Sequence, residues 1–486
     1  MPYMPVTSSM FLLAETREQP MHVGGLQLFV PREGQSSSEL AEEIIEAFCG
    51  CTEVHPTFRK RPAVPVTLLG NVAWSFDDEI DFDYHVRRTV LPRPGRVREL
   101  LRYVSLNHGA LMDRFRPMWE IHVIEGLDDG RVALYSKIHH SVVDGVSALR
   151  LLQRTLSDDP DDRSGTAPWD PALVERRPPR PSPSLRSRVS GLANVAGQVA
   201  GLGPAAAKVA VAGLRDPEFV APLGRAPRTI LDVAIGSARR FASQQWEIDR
   251  LRAVADARNI TLNDVIVAMC SGALRSYLID QDALPDAPLI AAVPVSMHTD
   301  GDDDGNAVTA ILVSLATDEP DPERRLDKLV ESARHSKSVV RGLRPLQALA
   351  LGAANFAPLA FATVPGFVQY VPPQFNIIIS NVPGPSKHLY WNGARLDGVY
   401  PVSIPTQGLA LNITVTSTAE HINFGLIGAR AQLPSLQRLL THLDTALEEL
   451  EKVARTGDVS GHPRPGRGLG HPDSTVSYSR VSSDMR

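Results

Sequence analysis

The chain has 486 residues, 43% of them hydrophobic and 22% charged, with a formal net charge of −5. That is material for two lobes of about 200 residues each, and the mild acidity excludes a general affinity for nucleic acid. Three cysteines, Cys49, Cys51 and Cys270, make no disulfide framework and suit a reducing, cytoplasmic setting.

The N-terminus lacks the basic and apolar blocks of a secretory signal. Residues 22–31, HVGGLQLFVP, read as a strand. Residues 36–49 open on serines able to cap a helix, followed by Leu40, Ile44, Ile45 and Phe48 at helical spacing. Residues 101–113 predict a second helix. Residues 117–127 and 130–140 predict an antiparallel hairpin across Asp128-Asp129-Gly130. A helix over 145–157 follows directly. From 158 to 230 the composition turns to Pro, Arg and Ser, a linker that contains a small-residue crossover helix.

Beyond it, helices are expected over 249–258, 261–280 and 434–453. Strands are expected over 289–297 and 307–316 and within 373–385 and 409–429. Residues 455–486 read as a disordered tail. The boundaries are then 1–157, 158–230, 231–454 and 455–486, an α+β chain of two lobes with mixed sheets. No charged residue stands between Arg344 and Lys387, yet five prolines interrupt that stretch. It reads as buried core or as a lipid-facing wall, and only last as a membrane span.

The chemistry concentrates in KIHHSVVDG, residues 137–145, at the end of a predicted strand. Adjacent strand residues point to opposite faces, so His139 and His140 do not share a metal, and nothing else in the chain calls for one. One imidazole faces a cavity and takes a proton, while Asp144, at an Asp-Gly turn, holds the loop. No Gly-x-Ser-x-Gly elbow accompanies them, so the histidine acts directly on a substrate hydroxyl, without a covalent enzyme intermediate. Asp300 opens a calcium-like loop, but Ile311 stands where a bidentate Glu is required. Cys49-Gly-Cys51 lacks the spacer of a redox or zinc pair.

HHSVVDG resembles the HHxxxDG motif of the bacterial wax ester synthase/diacylglycerol acyltransferase family, a branch of the chloramphenicol acetyltransferase-like superfamily. FLLAETREQPMHVGGLQLF, PMWEIHVIEGL, TLNDVIVAMCSGALRSYL, VPVSM, the Gly305-Asn306 pair and NIIISNVPGP resemble its other blocks, in the same order, from residue 11 onward. The resemblance implies two acetyltransferase-like lobes with the active site in a tunnel between them. It implies an enzyme that transfers a long-chain acyl group from acyl-CoA, a co-substrate rather than a resident cofactor, to diacylglycerol or to a fatty alcohol. It makes His140 the general base, with His139 and Asp144 supporting it and Gly145 allowing the turn. Asn263 is its candidate oxyanion donor, although a helix cap is as good a reading of that residue. Asp264 is structural. Coenzyme A-binding residues carry no signal in the sequence.

Two positions depart from the family pattern: Ser8, where Asp is usual, and Met297, where Arg is usual. Two other readings stand beside this one. One is a related acyltransferase with another hydroxyl acceptor. The other is a catalytically weak protein that coats lipid inclusions through 185–215 and 345–386. A peripheral contact with a membrane or lipid droplet is expected from the uncharged stretch.

Overall fold

The computed structural model describes residues 4–63, 73–173, 226–297, 307–342 and 366–457, with scattered residues between 347 and 364. The expected crossover helix and the C-terminal tail lie outside the described residues, as does most of the acidic loop at 300–311.

Helix α1 (Val6–Ala14) leads into strand β1 (His22–Val30), and α2 (Ser37–Gly50) follows. Ser36 caps α2 through a capping box with Glu39, which satisfies two orphan donors at once. A short pair, β2 (Lys60–Pro62) and β3 (Trp74–Phe76), precedes α3 (Phe82–His85) and β4 (Val86–Val90). Helix α4 spans Val97–His108 rather than 101–113. It stops at Gly109, where a Cβ would sit 2.9 Å from the Ser237 carbonyl oxygen. Strands β5 (Trp119–Glu125) and β6 (Val132–His139) form the expected hairpin, turned by Gly130 at φ +78°. Helix α5 runs over Gly145–Gln153.

The second half supplies β7 (Arg239–Glu247), the helices Ile248–Arg258 and Leu262–Asp280, β8 (Ile290–Met297), β9 (Ala307–Ser314) and the helix Pro322–Arg341. Next come β10 (Ile377–Val382), β11 (Tyr390–Trp391), β12 (Ala394–Val402), β13 (Leu411–Ser417), β14 (His421–Ala429) and the helix Arg438–Gly457. Two six-stranded sheets result, ordered β11-β12-β1-β6-β5-β4 and β7-β14-β13-β10-β8-β9. Both are mixed: β4 and β5 are parallel in the first, and β10 is parallel to β8 and β13 in the second.

The lobes therefore exchange chain. Strands β11 and β12, inside the span 231–454 expected to form the second lobe, belong to the first sheet, where β12 pairs antiparallel with β1. Pairing of β12 with β1, and of β11 with β12, satisfies their backbone groups, and nothing in their sequence says which sheet receives them. Phe241 of β7 and Ile427 of β14 pack with Leu26, Leu28 and Tyr135, so one apolar cluster bridges the two sheets.

The helix Leu262–Asp280 is long and apolar enough to cross a membrane, but 72% of its apolar window is buried. Its residues Ile266, Met269 and Leu274 pack in one cluster with Leu443 and Leu447 of the last helix and with Ile413 of β13. The uncharged stretch divides. Phe356, Leu359 and Phe375 pack with Ile290 and Leu312, whereas Phe361, Val364 and Tyr370 are exposed.

Candidate active site

The two histidines part where β6 ends. The His139 amide donates to the Met118 carbonyl at 3.0 Å on the β5 side, and the His140 amide donates to the Met21 carbonyl at 2.9 Å on the β1 side. With the backbone held from both flanks, the imidazoles leave on opposite faces.

His139 is sealed in. Its Nδ1 accepts from the Ser141 amide at 3.1 Å and from the Ser141 hydroxyl at 2.7 Å. The ring proton therefore sits on Nε2, which lies 3.3 Å from Glu15 Oε1, an ionic contact rather than a well-aligned hydrogen bond. Glu15 is itself only 2% exposed at its side chain. It accepts from the Met21 amide at 3.0 Å and from Arg114 at 2.8 Å. Burial alone would raise the Glu15 carboxyl, but His139, the Met21 amide and Arg114 outweigh it and hold it at about 2. The chain Arg114–Glu15–His139–Ser141 thus fixes the strand end from which His140 projects.

His140 faces a cavity of about 530 Å³ whose described lining lies between Ser8 and Arg154. Phe11 stacks on it, ring centroids 4.0 Å apart and planes within 18°. Nδ1 is buried without a partner. Burial pushes the imidazole down to about 4; Asp144 pulls the other way. At neutral pH His140 is an uncharged ring with a free lone pair, held flat by an aromatic neighbour.

Asp144 acts through the helix that follows. It is the N-cap of α5, accepting from the Ser147 amide at 2.9 Å and from the Ser147 hydroxyl at 2.9 Å. That bond stabilises the first turn of α5 and so the His140 loop. Gly145 does not serve a strained turn: it opens α5 outside the positive-φ residues, and a Cβ there would meet only Val23 at 3.9 Å.

Asn263 is absent from the described lining of the His140 cavity. It stands in the first turn of Leu262–Asp280, where its Oδ1 accepts from Asn381 Nδ2 at 3.3 Å. The cap is Thr261, in a capping box with Asp264, and Asp264 also pairs with Lys337 at 3.1 Å. Ser8 lines the His140 cavity. Met297 ends β8, and its side chain lies outside the described residues.

Sequence reasoning missed Glu15, Arg114 and Phe11 as parts of the site. Glu15 alone carried a signal, an acidic residue closing the apolar run FLLAE. Arg114 reaches it across 99 positions of chain, a pairing that no local pattern announces.

Comparison with known proteins gives one answer. The model of the wax ester synthase/diacylglycerol acyltransferase catalytic domain matches residues 4–266, and that of the family's C-terminal domain matches residues 304–451. A probable diacylglycerol O-acyltransferase of Mycobacterium tuberculosis is 50% identical over 456 residues, 93% of this chain and 99% of the relative. The O-acyltransferase WSD of Acinetobacter baylyi is 38% identical over 453 residues, 92% of this chain and 97% of the relative. The solved wax ester synthase/diacylglycerol acyltransferase of Marinobacter aquaeolei superposes with a TM-score of 0.72 at 41% identity, over 93% of this chain and all of that one. The first condensation domain of the CDA synthetase, at 15% identity and a TM-score of 0.54 over 93% of this chain and 96% of that one, shares the fold.

Proposed function

The chain belongs to the wax ester synthase/diacylglycerol acyltransferase family and is an O-acyltransferase, and we propose that it moves a long-chain acyl group from coenzyme A to the hydroxyl of diacylglycerol or of a fatty alcohol. The observation that carries this reading is His140: a neutral imidazole, stacked on Phe11, lining a cavity and with its Nδ1 unpartnered.

His140 takes the acceptor's hydroxyl proton as the oxygen attacks the thioester carbonyl. The tetrahedral adduct collapses, expels the coenzyme A thiolate, and the imidazolium returns its proton to that sulfur. A ring whose pKa is held near 4 is fully neutral at pH 7 but a weak acceptor of protons. The Asp144 carboxylate favours the imidazolium as it forms. The Arg114–Glu15–His139 chain acts through position: it holds the strand end and never touches the substrate. The oxyanion donor is left unassigned.

The test uses purified protein, labelled palmitoyl-CoA, and either dioleoylglycerol or hexadecanol, beside His140→Ala. Wild type should make triacylglycerol or wax ester, and the product ratio names the acceptor. The variant should fall by about 10²–10⁴-fold. Equal ester from both proteins would remove His140 from the chemistry. No ester from either would favour another acceptor or the lipid-coating reading.

The place of work belongs to the same proposal: the cytoplasmic side of a membrane or a lipid inclusion. Tyr370 is 84% exposed and Phe361 59%, an apolar surface close to the lipid this reaction consumes. Tyr370→Ser should weaken co-sedimentation with vesicles and leave turnover of a dispersed acceptor intact.

A further inference from the structure

The His140 cavity extends along α5. Ser147, Arg150, Leu151 and Arg154 all line it, the i, i+3, i+4, i+7 spacing of a single helical stripe. Arg154 also lines a second cleft, of about 600 Å³, and is the one described residue common to both. Two cavities therefore meet at its guanidinium.

The charge balance there is positive. Other arginines sit against carboxylates: Arg32 on Glu43, Arg88 on Glu125, Arg131 on Asp397. Among the described residues, no carboxylate lies within ion-pair distance of Arg150 or Arg154. Asp144, the only acid among the described lining of the first cavity, is already engaged by Ser147. Two exposed, uncompensated cations one helical turn apart beside a reactive imidazole form a site for an anion. The second cleft has another character. Ser157, Ser164, Tyr390 and Asn392 line it together with Asp162 and the Asp158–Lys387 ion pair, closed at 2.7 Å. With Asp158 neutralised by Lys387, the hydroxyls, the carboxamide and the ring suit a ribose and a base.

We infer that the two cavities together form the docking groove of a nucleotide-bearing acyl thioester: thioester carbonyl at His140, phosphates on Arg150 and Arg154, nucleoside in the second cleft. The inference rests on the acyl-CoA reading above and names the residues that bind that donor. Ten residues at 1.5 Å rise put about 15 Å between the His140 loop and Arg154. A flexible arm must therefore separate the reactive carbon from the charge, as pantetheine does.

The test compares wild type with the double variant Arg150→Ala/Arg154→Ala on palmitoyl-CoA and on palmitoyl-pantetheine, which lacks the nucleotide. The double variant should raise KM for palmitoyl-CoA about tenfold or more, with kcat within about threefold. The KM for palmitoyl-pantetheine should not rise with it, and Arg150→Lys/Arg154→Lys should restore part of the loss. Calorimetry with coenzyme A alone should show the same weakening without any turnover. An unchanged KM for palmitoyl-CoA, or an equal rise for both donors, would overturn the assignment. So would loss of binding to phosphatidylglycerol vesicles with KM intact, which would make these arginines a lipid-headgroup contact. If wild type binds coenzyme A through the arginines yet transfers nothing, the groove stands and the acyltransfer reading falls.

Discussion

The two sheets bury different chemistry. The face of the first sheet that meets the second lobe carries His22, Glu120, His122, Lys137 and His139, all buried. They stand opposite one another across the strands: His22 faces His139 and Glu120 faces Lys137. Lys137 donates to the Asn107 and Ala110 carbonyls at the end of α4, and its ammonium lies 4.0 Å from Glu120. The cation thus meets the negative end of a helix as well as a carboxylate. The core of the second lobe is almost wholly aliphatic, with Ile266, Leu274, Ile413, Leu443 and Leu447 in one cluster. The difference teaches a division of labour. Apolar packing holds the aliphatic core of the second lobe, and that core does not titrate. The first lobe surrounds its catalytic strand with directional bonds, which orient side chains more sharply but fail when protons are added.

The largest stability effect should come from the aliphatic side. Leu443→Ala empties a fully buried site and should cost about 2–5 kcal/mol in urea unfolding, equally at neutral and mildly acid pH. A strongly pH-dependent loss would break the comparison.

Acid should act on the polar side. Burial, with Lys137 adding to it, holds His108 down at about 3, against an ordinary value of 6.5. Between those values the unfolded chain binds a proton that the folded chain refuses, so stability falls as pH drops through that window, by several kcal/mol at its end. Asp232, a buried acid beside the aliphatic core of the second lobe, runs the other way. Burial raises it from 3.8 to about 7, so the folded chain holds the extra proton and stability falls as pH rises through that range. Asp232→Asn should therefore raise the thermal midpoint near pH 8 by several degrees and change little near pH 4. Equal shifts at both would show that Asp232 is not protonated in the fold.

Glu15→Gln should lower kcat by about ten- to a hundredfold with a smaller change in KM, since it loosens the strand end that aims His140. The Glu15 carboxylate is depressed from 4.5 to about 2, so its stabilisation is present above 4.5 and lost as pH falls through about 2. The variant should lack that acid limb. Gly145→Ala should be the mildest change, within about 0.5 kcal/mol, because the position has open space and no left-handed backbone.

Much of this was legible in one dimension. The hairpin β5–β6, the capped helices and the His-His motif follow from local rules: period-two alternation, Asp-Gly turn chemistry, and serine or threonine three residues ahead of an acid. The family blocks around HHSVVDG were legible for the same reason, as short contiguous stretches. The partner of Asn263 was not. Asn263 stands at a helix start in the sequence, and only the fold shows its carboxamide turned to Asn381.

The sequence alone determined the element types, the two-lobe size, the family and the pair of histidines on opposite faces of a strand end, because each depends on neighbours within a few residues. The tertiary structure decided which sheet receives β11 and β12, and which carboxylate and arginine stand behind His139. Those are meetings between residues about 100 to 380 positions apart, such as Glu15 with Arg114 and Gly24 with Val402. Backbone pairing and burial select such meetings from many sterically equal alternatives, and no local spacing encodes them.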